Sequence, residues 1–317
     1  MAQLQVTIVT GSLKLPQVEN ASSVGNMWFN PSNNKIEYSY EGLGFPGVWS
    51  SGNPMQTAGG LFAYSGTQNA SLAAGGYGRP ADCTEEYNGV SWTTVNPLIT
   101  GRRTQTGDGT QNSTIVMGGF GGPNNNYLSC TECYDGSTWT TSTSIPQTKG
   151  NHGSAGSSSS STIIFGGSPT SNNLYEWNGS SWSTGGNLNS GRQQLAGFGT
   201  TTAALAVGGN YQLNCTEEYD GTSWTISTNA MSTPRFDFAA TGTQNLGFVM
   251  GGYLFRPNTE EYNGTTWSAG GNLSCGRGRL GVGGSNSGLT AFGGQGFGFT
   301  NCTEEYNPTT GIQVCTL

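Results

Sequence analysis

Paired carboxylates recur along this chain and are the first residues whose type and spacing could do chemistry. Each pair stands directly before a tyrosine: Glu85-Glu86, Glu217-Glu218, Glu260-Glu261 and Glu304-Glu305. Adjacent carboxylates suit glycoside hydrolysis or a metal site. A side chain that recurs at one position of a repeat serves the architecture instead, because an active site breaks the symmetry. We therefore expect the first Glu of each pair to bind an arginine of the adjacent unit, and the candidates are Arg103, Arg192, Arg235 and Arg279.

His152 is the sole histidine and lies in the loop Lys149–Gly153, at the slot that other units fill with arginine. A serine–histidine–aspartate triad would have to use it. One histidine and the isolated Cys130-x-x-Cys133 pair are too few ligands for a zinc site, and no calcium-binding loop motif occurs. We expect a structural role for His152, no catalytic residue, no metal and no cofactor.

Four of the seven cysteines recur at one position, three or four residues before the aromatic residue of a unit: Cys83, Cys130, Cys215 and Cys302. Equivalent positions on different units stand too far apart for a disulfide, which needs Cα atoms within about 7 Å. The odd count favours reduced, buried thiols. A disulfide between Cys302 and Cys315 is the alternative left open.

The composition limits the elements that could position any site. Glycine contributes 53 of 317 residues, charged residues reach 9% and hydrophobic residues 33%, while aromatic residues alone reach 11%. Glycine destabilises helices, and good helix formers are scarce here. Disordered chains lack aromatic residues. The composition therefore favours an all-β protein with many tight turns.

The charge excludes some partners. A net charge of −7 without a basic run offers no surface to a nucleic-acid backbone. No stretch approaches the about 18 apolar residues of a membrane-spanning helix, and residues 1–13 lack the basic and apolar regions of a secretory signal. We expect no nucleic-acid partner, no membrane insertion and synthesis without a signal peptide.

The chain repeats itself in steps of 42 to 48 residues. Each unit contains an apolar run closed by two glycines, a loop, an acidic-aromatic stretch, a tight turn and a tryptophan. The glycine pairs begin at Gly75, Gly118, Gly166, Gly208, Gly251 and Gly293. A period of about 40–50 residues with four short strands is typical of a β-propeller blade. The sequence therefore predicts an all-β propeller of four-stranded antiparallel blades.

An aromatic residue in the third strand and a tryptophan in the fourth recur at a five-residue interval. The couples are Tyr87 and Trp92, Tyr134 and Trp139, Trp177 and Trp182, Tyr219 and Trp224, and Tyr262 and Trp267. Dipeptides between them, such as Asn88-Gly89, favour two-residue type I′ hairpins. In that register Glu85 faces Trp92. We expect each couple to pack together against the neighbouring blade.

Residues 25–49 contain Trp28 and Trp49, the remains of a further unit. We predict seven blades, with six as the alternative, in one propeller over residues 17–317 that follows an N-terminal arm or strand at 1–16. The blades are expected at 17–52, 53–97, 98–144, 145–187, 188–229, 230–272 and 273–317.

The units resemble kelch repeats, in which a glycine pair ends the second strand, tyrosine stands in the third, tryptophan in the fourth, and arginine near the next inner strand. The resemblance covers residues 57–317 in six units. The sequence of Thr259–Trp267 is similar to segments of kelch-like proteins of marine and cyanobacterial bacteriophages. The segment Gly25–Asn30 resembles a hairpin motif of phage tail-fibre proteins.

This resemblance implies a non-enzymatic virion structural protein of a tail fibre, baseplate or capsid appendage, made in the host cytoplasm and oligomeric within the particle. Its partners would be other virion proteins and a host cell-surface glycan or receptor. The alternatives are an assembly or decoration scaffold without a ligand and, more distantly, a polysaccharide-processing enzyme. The copper oxidases built on kelch propellers need two histidine ligands, and this chain has one histidine.

The connections that follow the glycine pairs are long and variable, and we expect them on one face of the propeller, opposite the tight turns. Variable loops on a rigid repeat scaffold are common binding sites. Their aromatic and amide side chains suit stacking on sugar rings or a flat protein contact. Alternatively, the aromatic residue after each glycine pair covers the next blade. The predicted ligand-binding residues are Tyr77, Arg79, Phe120, Tyr127, Tyr211, Tyr253, Phe255, Arg256 and Phe297.

Overall fold

The computed structural model describes residues 47–210, 213–285 and 288–307 and, outside these ranges, five strands: Ile8–Val9, Ser12–Leu13, Met27–Asn30, Lys35–Tyr40 and Gly311–Cys315. These residues form strands and turns, and none of them belongs to a helix long and apolar enough to cross a membrane. The chain divides into two compact units. The larger comprises Pro46–Pro308, and the smaller comprises Met1–Phe45 with Thr309–Leu317.

The larger unit is built from six four-stranded antiparallel sheets and a small three-stranded sheet of Arg102–Arg103, Phe120–Gly121 and Asn126–Tyr127. The first three are Ala63–Thr67, Ala70–Ala74, Thr84–Tyr87 and Trp92–Val95; Thr106–Thr110, Ser113–Met117, Thr131–Tyr134 and Trp139–Ser142; and Gly153–Ser158, Ser161–Phe165, Leu174–Trp177 and Trp182–Thr184. The next two are Ala196–Thr200, Ala203–Val207, Thr216–Tyr219 and Trp224–Ile226; and Ala239–Thr243, Leu246–Met250, Thr259–Tyr262 and Trp267–Ala269. The sixth contains Gly281–Ser285, Gly288–Phe292, Thr303–Asn307 and, as its outer strand, Val48–Gly52.

The six sheets form a closed ring. Each inner strand contacts the inner strand of the next sheet, and Gly281–Ser285 of the sixth sheet contacts Ala63–Thr67 of the first. This is the architecture of a β-propeller, with the inner strands around a central channel. The predicted all-β fold class is confirmed. The ring has six blades, the smaller of the two counts that the sequence left open.

Residues 48–52 close the ring by completing the last blade. Trp49 lies directly opposite Tyr306, and their ring centroids are 5.2 Å apart. Trp49 is therefore the fourth-strand tryptophan that the last unit lacks. The prediction of a separate blade at 17–52 is wrong, because this tryptophan pairs with a strand from the other end of the chain.

The smaller unit contains one antiparallel sheet of Met27–Asn30, Lys35–Tyr40 and Gly311–Cys315, with Lys35–Tyr40 in the middle, and a hairpin of Ile8–Val9 and Ser12–Leu13. The segment after residue 310 therefore does not form the outer strand of the last blade. The predicted propeller over residues 17–317 shortens to the strands between 48 and 307. The five predicted blade ranges from 53–97 to 230–272 each contain one observed blade, and the range 273–317 contains three strands of the sixth.

An aromatic couple joins the two outer strands of every blade. In all six blades the third-strand aromatic residue lies opposite the fourth-strand tryptophan, with ring centroids 4.9–5.2 Å apart. The couple also packs against the neighbouring blade. The indole N–H of Trp92, for example, donates to Thr303 at 2.9 Å, and its ring lies 4.7 Å from that of Phe292. The predicted packing is confirmed.

The turn between these strands differs from the predicted type I′ hairpin. Tyr87, not Glu85, faces Trp92. The Asn88 carboxamide oxygen accepts two backbone N–H groups of the turn, at 2.9 and 2.8 Å. Gly89 has a positive φ of 85° and Asn88 does not, whereas a type I′ turn needs positive φ at both central positions. The longer turn keeps the two aromatic residues directly opposite each other.

Candidate functional site

The first glutamate of each of the four acidic pairs is buried and bound to an arginine, and so is Glu132 at the same position of the second blade. Five ion pairs repeat around the ring: Arg79–Glu85, Arg102–Glu132, Arg192–Glu217, Arg235–Glu260 and Arg277–Glu304. Each carboxylate also accepts a backbone N–H from the connection before its blade. The structural interpretation of these residues is confirmed. The predicted partners Arg103 and Arg279 are wrong, because residues 102 and 277 point into the blade, and the pairs lie within one blade rather than between two.

Arg79 is not available on the loop surface, contrary to its prediction as a ligand-binding residue. Its side chain is fully buried and donates to Glu85 at 3.1 Å. The first blade has Gly59 at the position where the other blades have a basic residue, and a Cβ there would meet the Arg79 side chain at 2.6 Å. Arg79 therefore reaches back from the following loop and fills the space of the missing side chain.

The third blade replaces both members of the ion pair. Lys149 and Tyr175 stand in the places of arginine and glutamate, with the Lys149 Nζ 5.5 Å from the Tyr175 ring centroid. The ammonium donates to the Gly166 carbonyl at 2.7 Å, and burial lowers its pKa to about 8. Lys149 therefore occupies the arginine slot, so the assignment of that slot to His152 is wrong.

The second glutamate of each of the four pairs, and Glu176 at the same position of the third blade, joins neighbouring blades. A third-strand tyrosine of the next blade donates its hydroxyl to it at 2.5–3.0 Å, and the pairs are Tyr87–Glu305, Tyr134–Glu86, Tyr219–Glu176, Tyr262–Glu218 and Tyr306–Glu261. Between the second and third blades both partners change together, to Cys133 and Trp177, which pack in one apolar cluster. These acidic residues are thus part of the scaffold rather than an open carboxylate site.

The inner strands enclose a cavity of about 310 Å³ at the centre of the ring, and polar side chains project into it. Asp108 accepts the Thr162 hydroxyl at 2.6 Å, and burial raises its pKa to about 7. His152 is hydrogen-bonded to Thr106 at 2.8 Å. Burial and, to a smaller extent, the charge of Lys149 lower its pKa to about 3. His152 is therefore neutral at physiological pH, while Asp108 titrates near neutrality.

Six residues with left-handed backbone surround one mouth of this channel. They occupy the same position of each blade, just before the inner strand, with φ of 53–60°, and all line the cavity: Leu61, Thr104, Asn151, Gln194, Asp237 and Arg279. We call them the mouth ring. Asn and Asp tolerate this conformation, but it is unfavourable for leucine, glutamine and arginine and most of all for β-branched threonine.

Backbone hydrogen bonds link the mouth ring into a closed circle. The N–H of each member donates to the carbonyl of the equivalent residue in the preceding blade at 2.7–3.4 Å, and Leu61 of the first blade donates to Arg279 of the sixth. Residues in unfavourable conformations persist where the surrounding structure holds them, and they cluster at functional sites. Each strained residue of the mouth ring is held by the two neighbours that it joins.

The mouth ring is where the symmetry of the repeat ends, because one backbone position carries six different side chains. Asp237 accepts the amide of Gln194 at 3.0 Å and the Arg279 Nε at 2.9 Å. Arg279 also donates to Gln295 at 2.5 Å, and 33% of its side chain stays exposed. A polar network across the fourth, fifth and sixth blades therefore lines one side of the mouth.

The mouth ring opens onto the end of the propeller that carries the connections between second and third strands. We call this end the loop face; its described segments are 75–83, 118–130, 166–173, 251–258 and 293–302. Tyr77, Tyr253 and Phe255 are exposed there, and Phe297 is fully exposed. Tyr253 stacks on Phe236 with centroids 4.4 Å apart. Four predicted ligand-binding residues thus present aromatic surface at one end of the molecule.

A second aromatic group on the loop face surrounds Arg103. Its guanidinium carbon lies 4.8 Å from the ring centroid of Tyr77 and 4.9 Å from that of Phe120. Tyr77 meets Phe299 edge-on at 5.4 Å, and Phe120 meets Tyr127 edge-on at 5.3 Å. We call these five residues the arginine–aromatic cluster. It brings together three of the predicted ligand-binding residues.

Sequence reasoning missed the mouth ring and the position of Arg103. Leucine, threonine, glutamine and arginine carry no signal for positive φ, so the residue types do not predict the ring. When the six units are aligned with each other, one position does carry a signal. It holds six different residues, two places after a position that is basic in five of the units; these residues are at 61, 104, 151, 194, 237 and 279. Of the remaining predicted residues, Arg256 is half-buried beside Phe255, and Tyr211 lies outside the described residues.

Cysteines and acidic residues do not assemble into a metal site in the part of the chain that the structure describes. Six cysteines there are free thiols, among them the four at the repeated position. Cys302 is one of these, which argues against its alternative bridge to Cys315, whose side chain lies outside the described residues.

The chain thus forms a six-bladed β-propeller whose loop face is asymmetric and rich in exposed aromatic residues. A comparison with models of protein families finds no match to the chain, and a comparison with curated proteins finds no similar sequence.

Proposed function

We propose that this chain is a non-enzymatic structural protein of a bacteriophage particle and that its propeller attaches to a host-surface glycan through the loop face. The observation that carries the binding proposal is the contrast between the two ends of the propeller. Every large aromatic side chain that is exposed among the described residues lies on the loop face: Tyr77, Tyr253, Phe255 and Phe297. Exposed apolar patches of this kind mark interaction sites.

The chemistry of the loop face suits a sugar. Aromatic rings bind the apolar face of a sugar ring, and amide and carboxylate groups such as those of Gln194, Asp237 and Gln295 hydrogen-bond its hydroxyls. The ring of blades already holds these groups in place, so they do not have to become ordered when a ligand binds, and the entropic cost of association is lower. Six unlike side chains around the mouth also favour selection of one ligand over another.

The place of the protein on a phage particle rests on the resemblance of its units to kelch-like phage proteins. Other virion proteins would contact the remaining surface, and the chain would be oligomeric within the particle. An assembly protein without a ligand would share the scaffold and would use the exposed aromatic residues to contact another virion protein, so binding to a glycan distinguishes the two roles.

A glycan array with the full chain tests the proposal. We expect saturable binding that falls at least about tenfold, a loss of ~1.4 kcal/mol, when Tyr77→Ala and Tyr253→Ala are combined. The control Val90→Ala, on an exposed turn at the opposite end, should bind like the wild type. Melting curves of all three proteins should coincide. The absence of saturable binding to both the array and whole host cells would leave only the scaffold role.

A further inference from the structure

Two consecutive arginines of one short strand have opposite surroundings. Arg102 is completely buried and paired with Glu132, whereas Arg103 points to the loop face, because successive side chains of a strand alternate in direction. The Arg103 guanidinium lies over Tyr77 and Phe120. It is half-buried and makes no ion pair with any described residue.

The loop face also collects the basic residues that the repeat does not use. Nine lysines and arginines lie between residues 47 and 307, and six of them fill the buried basic position of the six blades. The other three are Arg103, Arg256 and Arg279, and only Arg279 faces a carboxylate of the described chain, that of Asp237. A protein with a net charge of −7 therefore carries two arginines without an ion-pair partner in the described chain, Arg103 and Arg256, on a face whose described segments contain one acidic residue, Asp82.

The arginine–aromatic cluster holds this guanidinium in a defined frame. Phe299 supports Tyr77, and Tyr127 supports Phe120, through edge-on contacts. The loop packs this closely because residue 78 is glycine, where a Cβ would meet the Phe299 ring at 2.5 Å. Rings that cover the face of a guanidinium leave its in-plane N–H donors open at the edge. Such an edge matches the two oxygens of a carboxylate.

We infer that Arg103 binds the carboxylate of an acidic saccharide while the sugar ring lies on the exposed side of Tyr77. This inference rests on the proposed glycan attachment and names the class of glycan: one that carries uronic-acid carboxylates. Tyr77 has 49% of its surface exposed beside the guanidinium, so a single sugar residue reaches both groups. The unpaired charge of the loop face favours a polyanion over a neutral chain.

The test uses the full chain and three acidic polysaccharides, polygalacturonate, alginate and hyaluronate, each in its native and its carboxyl-reduced form. Polyglutamate serves as an acidic polymer without sugar. The variants are Arg103→Met, which removes the guanidinium, and Arg103→Lys, which keeps the charge without the planar fork. The control Val90→Glu changes the net charge by the same unit at an exposed position of the opposite end. Melting curves establish that each variant is folded.

We expect wild-type protein to bind at least one native polysaccharide about tenfold more tightly than its carboxyl-reduced form and than polyglutamate, with affinity that falls as salt rises. Arg103→Met should lose about tenfold and Arg103→Lys an intermediate factor, while Val90→Glu stays within about twofold. Arg103→Lys also keeps the test valid if Arg103→Met does not fold.

Three results would overturn the inference. Equal binding to native and carboxyl-reduced polysaccharides would leave the glycan attachment in place and remove the carboxylate from it. Equal binding to polyglutamate would assign the site to acidic polymers in general. Binding to neutral members of a glycan array but to no acidic polysaccharide would exclude the acidic class of glycan. Binding to neither neutral nor acidic glycans would also remove the proposed function.

Discussion

At the residue scale, the same side-chain contact joins neighbouring blades at five of the six interfaces, and at the sixth both contacting residues are different. Five interfaces join a tyrosine hydroxyl to a glutamate, and the sixth replaces both, with Cys133 and Trp177 packed together. A buried hydroxyl or carboxylate without its partner costs about 1–3 kcal/mol, so the two residues change together or not at all.

This pairing predicts strong coupling in a double-mutant cycle. Cys133→Glu and Trp177→Tyr should each lower the free energy of unfolding, because each leaves one polar group without its partner. The double variant should recover at least about 1 kcal/mol relative to the sum of the single losses, since it re-creates the bond of the other interfaces. Urea unfolding of the four proteins measures the coupling, and strictly additive losses would contradict it.

His152 makes the stability of the protein sensitive to acid. Its pKa is lowered from 6.5 to about 3, so between these values the unfolded chain binds a proton that the folded chain does not. The contribution of His152 to the free energy of unfolding therefore falls as the pH drops from about 6.5 toward 3. His152→Gln should remove this contribution, and glutamine is the residue at the equivalent position 105. Chemical unfolding at several pH values measures the change.

Asp108 provides an internal check on that experiment, because its pKa is raised to about 7. A carboxyl with a raised pKa contributes stability that is present at low pH and is lost as the pH rises through about 7. Replacement of His152 should leave this opposite trend in place, and Asp108→Asn should remove it. A variant at 152 whose stability changes with pH in the same way as that of the wild type would contradict the assignment to His152.

At the scale of elements, the start of each inner strand is the most constrained segment of the blade. The mouth ring joins the six strands through one hydrogen bond per interface and holds non-glycine residues at positive φ. Elements of a repeat normally meet through side chains, so this circle of backbone bonds gives the mouth a fixed shape that does not depend on which side chains it carries. Six side chains are thereby free to differ without a change of fold.

Thr104 is the least favourable member of the mouth ring, and its hydroxyl is buried without a hydrogen-bond partner. Thr104→Asn should raise the free energy of unfolding by about 1 kcal/mol, because asparagine tolerates the left-handed conformation. The reverse exchange at the equivalent position, Asn151→Thr, should lower it by a similar amount. Equal stability of both variants in urea unfolding would show that the backbone of the ring adapts to its residue.

At the scale of the whole propeller, closure depends on a strand from the other end of the chain. Residues 48–52 pair with 303–307 and seat Trp49 against Tyr306 and Phe248. Without them the last blade would end in an unpaired strand edge, and such an edge invites aggregation. The first and last segments of the ring therefore have to meet before the last blade has its fourth strand and before the first and last blades contact each other.

Two deletions separate closure from the remainder of the N-terminal segment. Removal of residues 1–45 keeps the closing strand, and the propeller should unfold with nearly the wild-type midpoint. Removal of residues 1–53 takes away that strand and should cost at least about 3 kcal/mol, the cost of losing a large aromatic contact. Thermal unfolding with light scattering distinguishes the two, and similar midpoints would mean that the ring holds without its closing strand.

Much of the fold could be predicted from local pattern. The glycine pairs, the Tyr–Trp couples and the acidic residues each repeat within a short stretch, so the strands and their place in a blade follow from spacing. Whether Arg102 or Arg103 binds Glu132 could not be predicted. Successive side chains of a strand point to opposite sides, so the answer depends on the exact residue at which the strand begins. The same holds for Arg79, whose burial follows from Gly59 across the loop.

By itself, the sequence determined the all-β class, the repeated blade and the architectural role of the acidic pairs, because these depend on residues close together in the chain. Tertiary structure decided the number of blades, because the spacing of Trp49 is compatible with a strand of its own unit and only ring closure pairs it with Tyr306. It also decided the candidate site. The mouth ring and the arginine–aromatic cluster join residues of different blades, and the contacts of Leu61 with Arg279 and of Tyr77 with Phe299 exist only once the ring has closed.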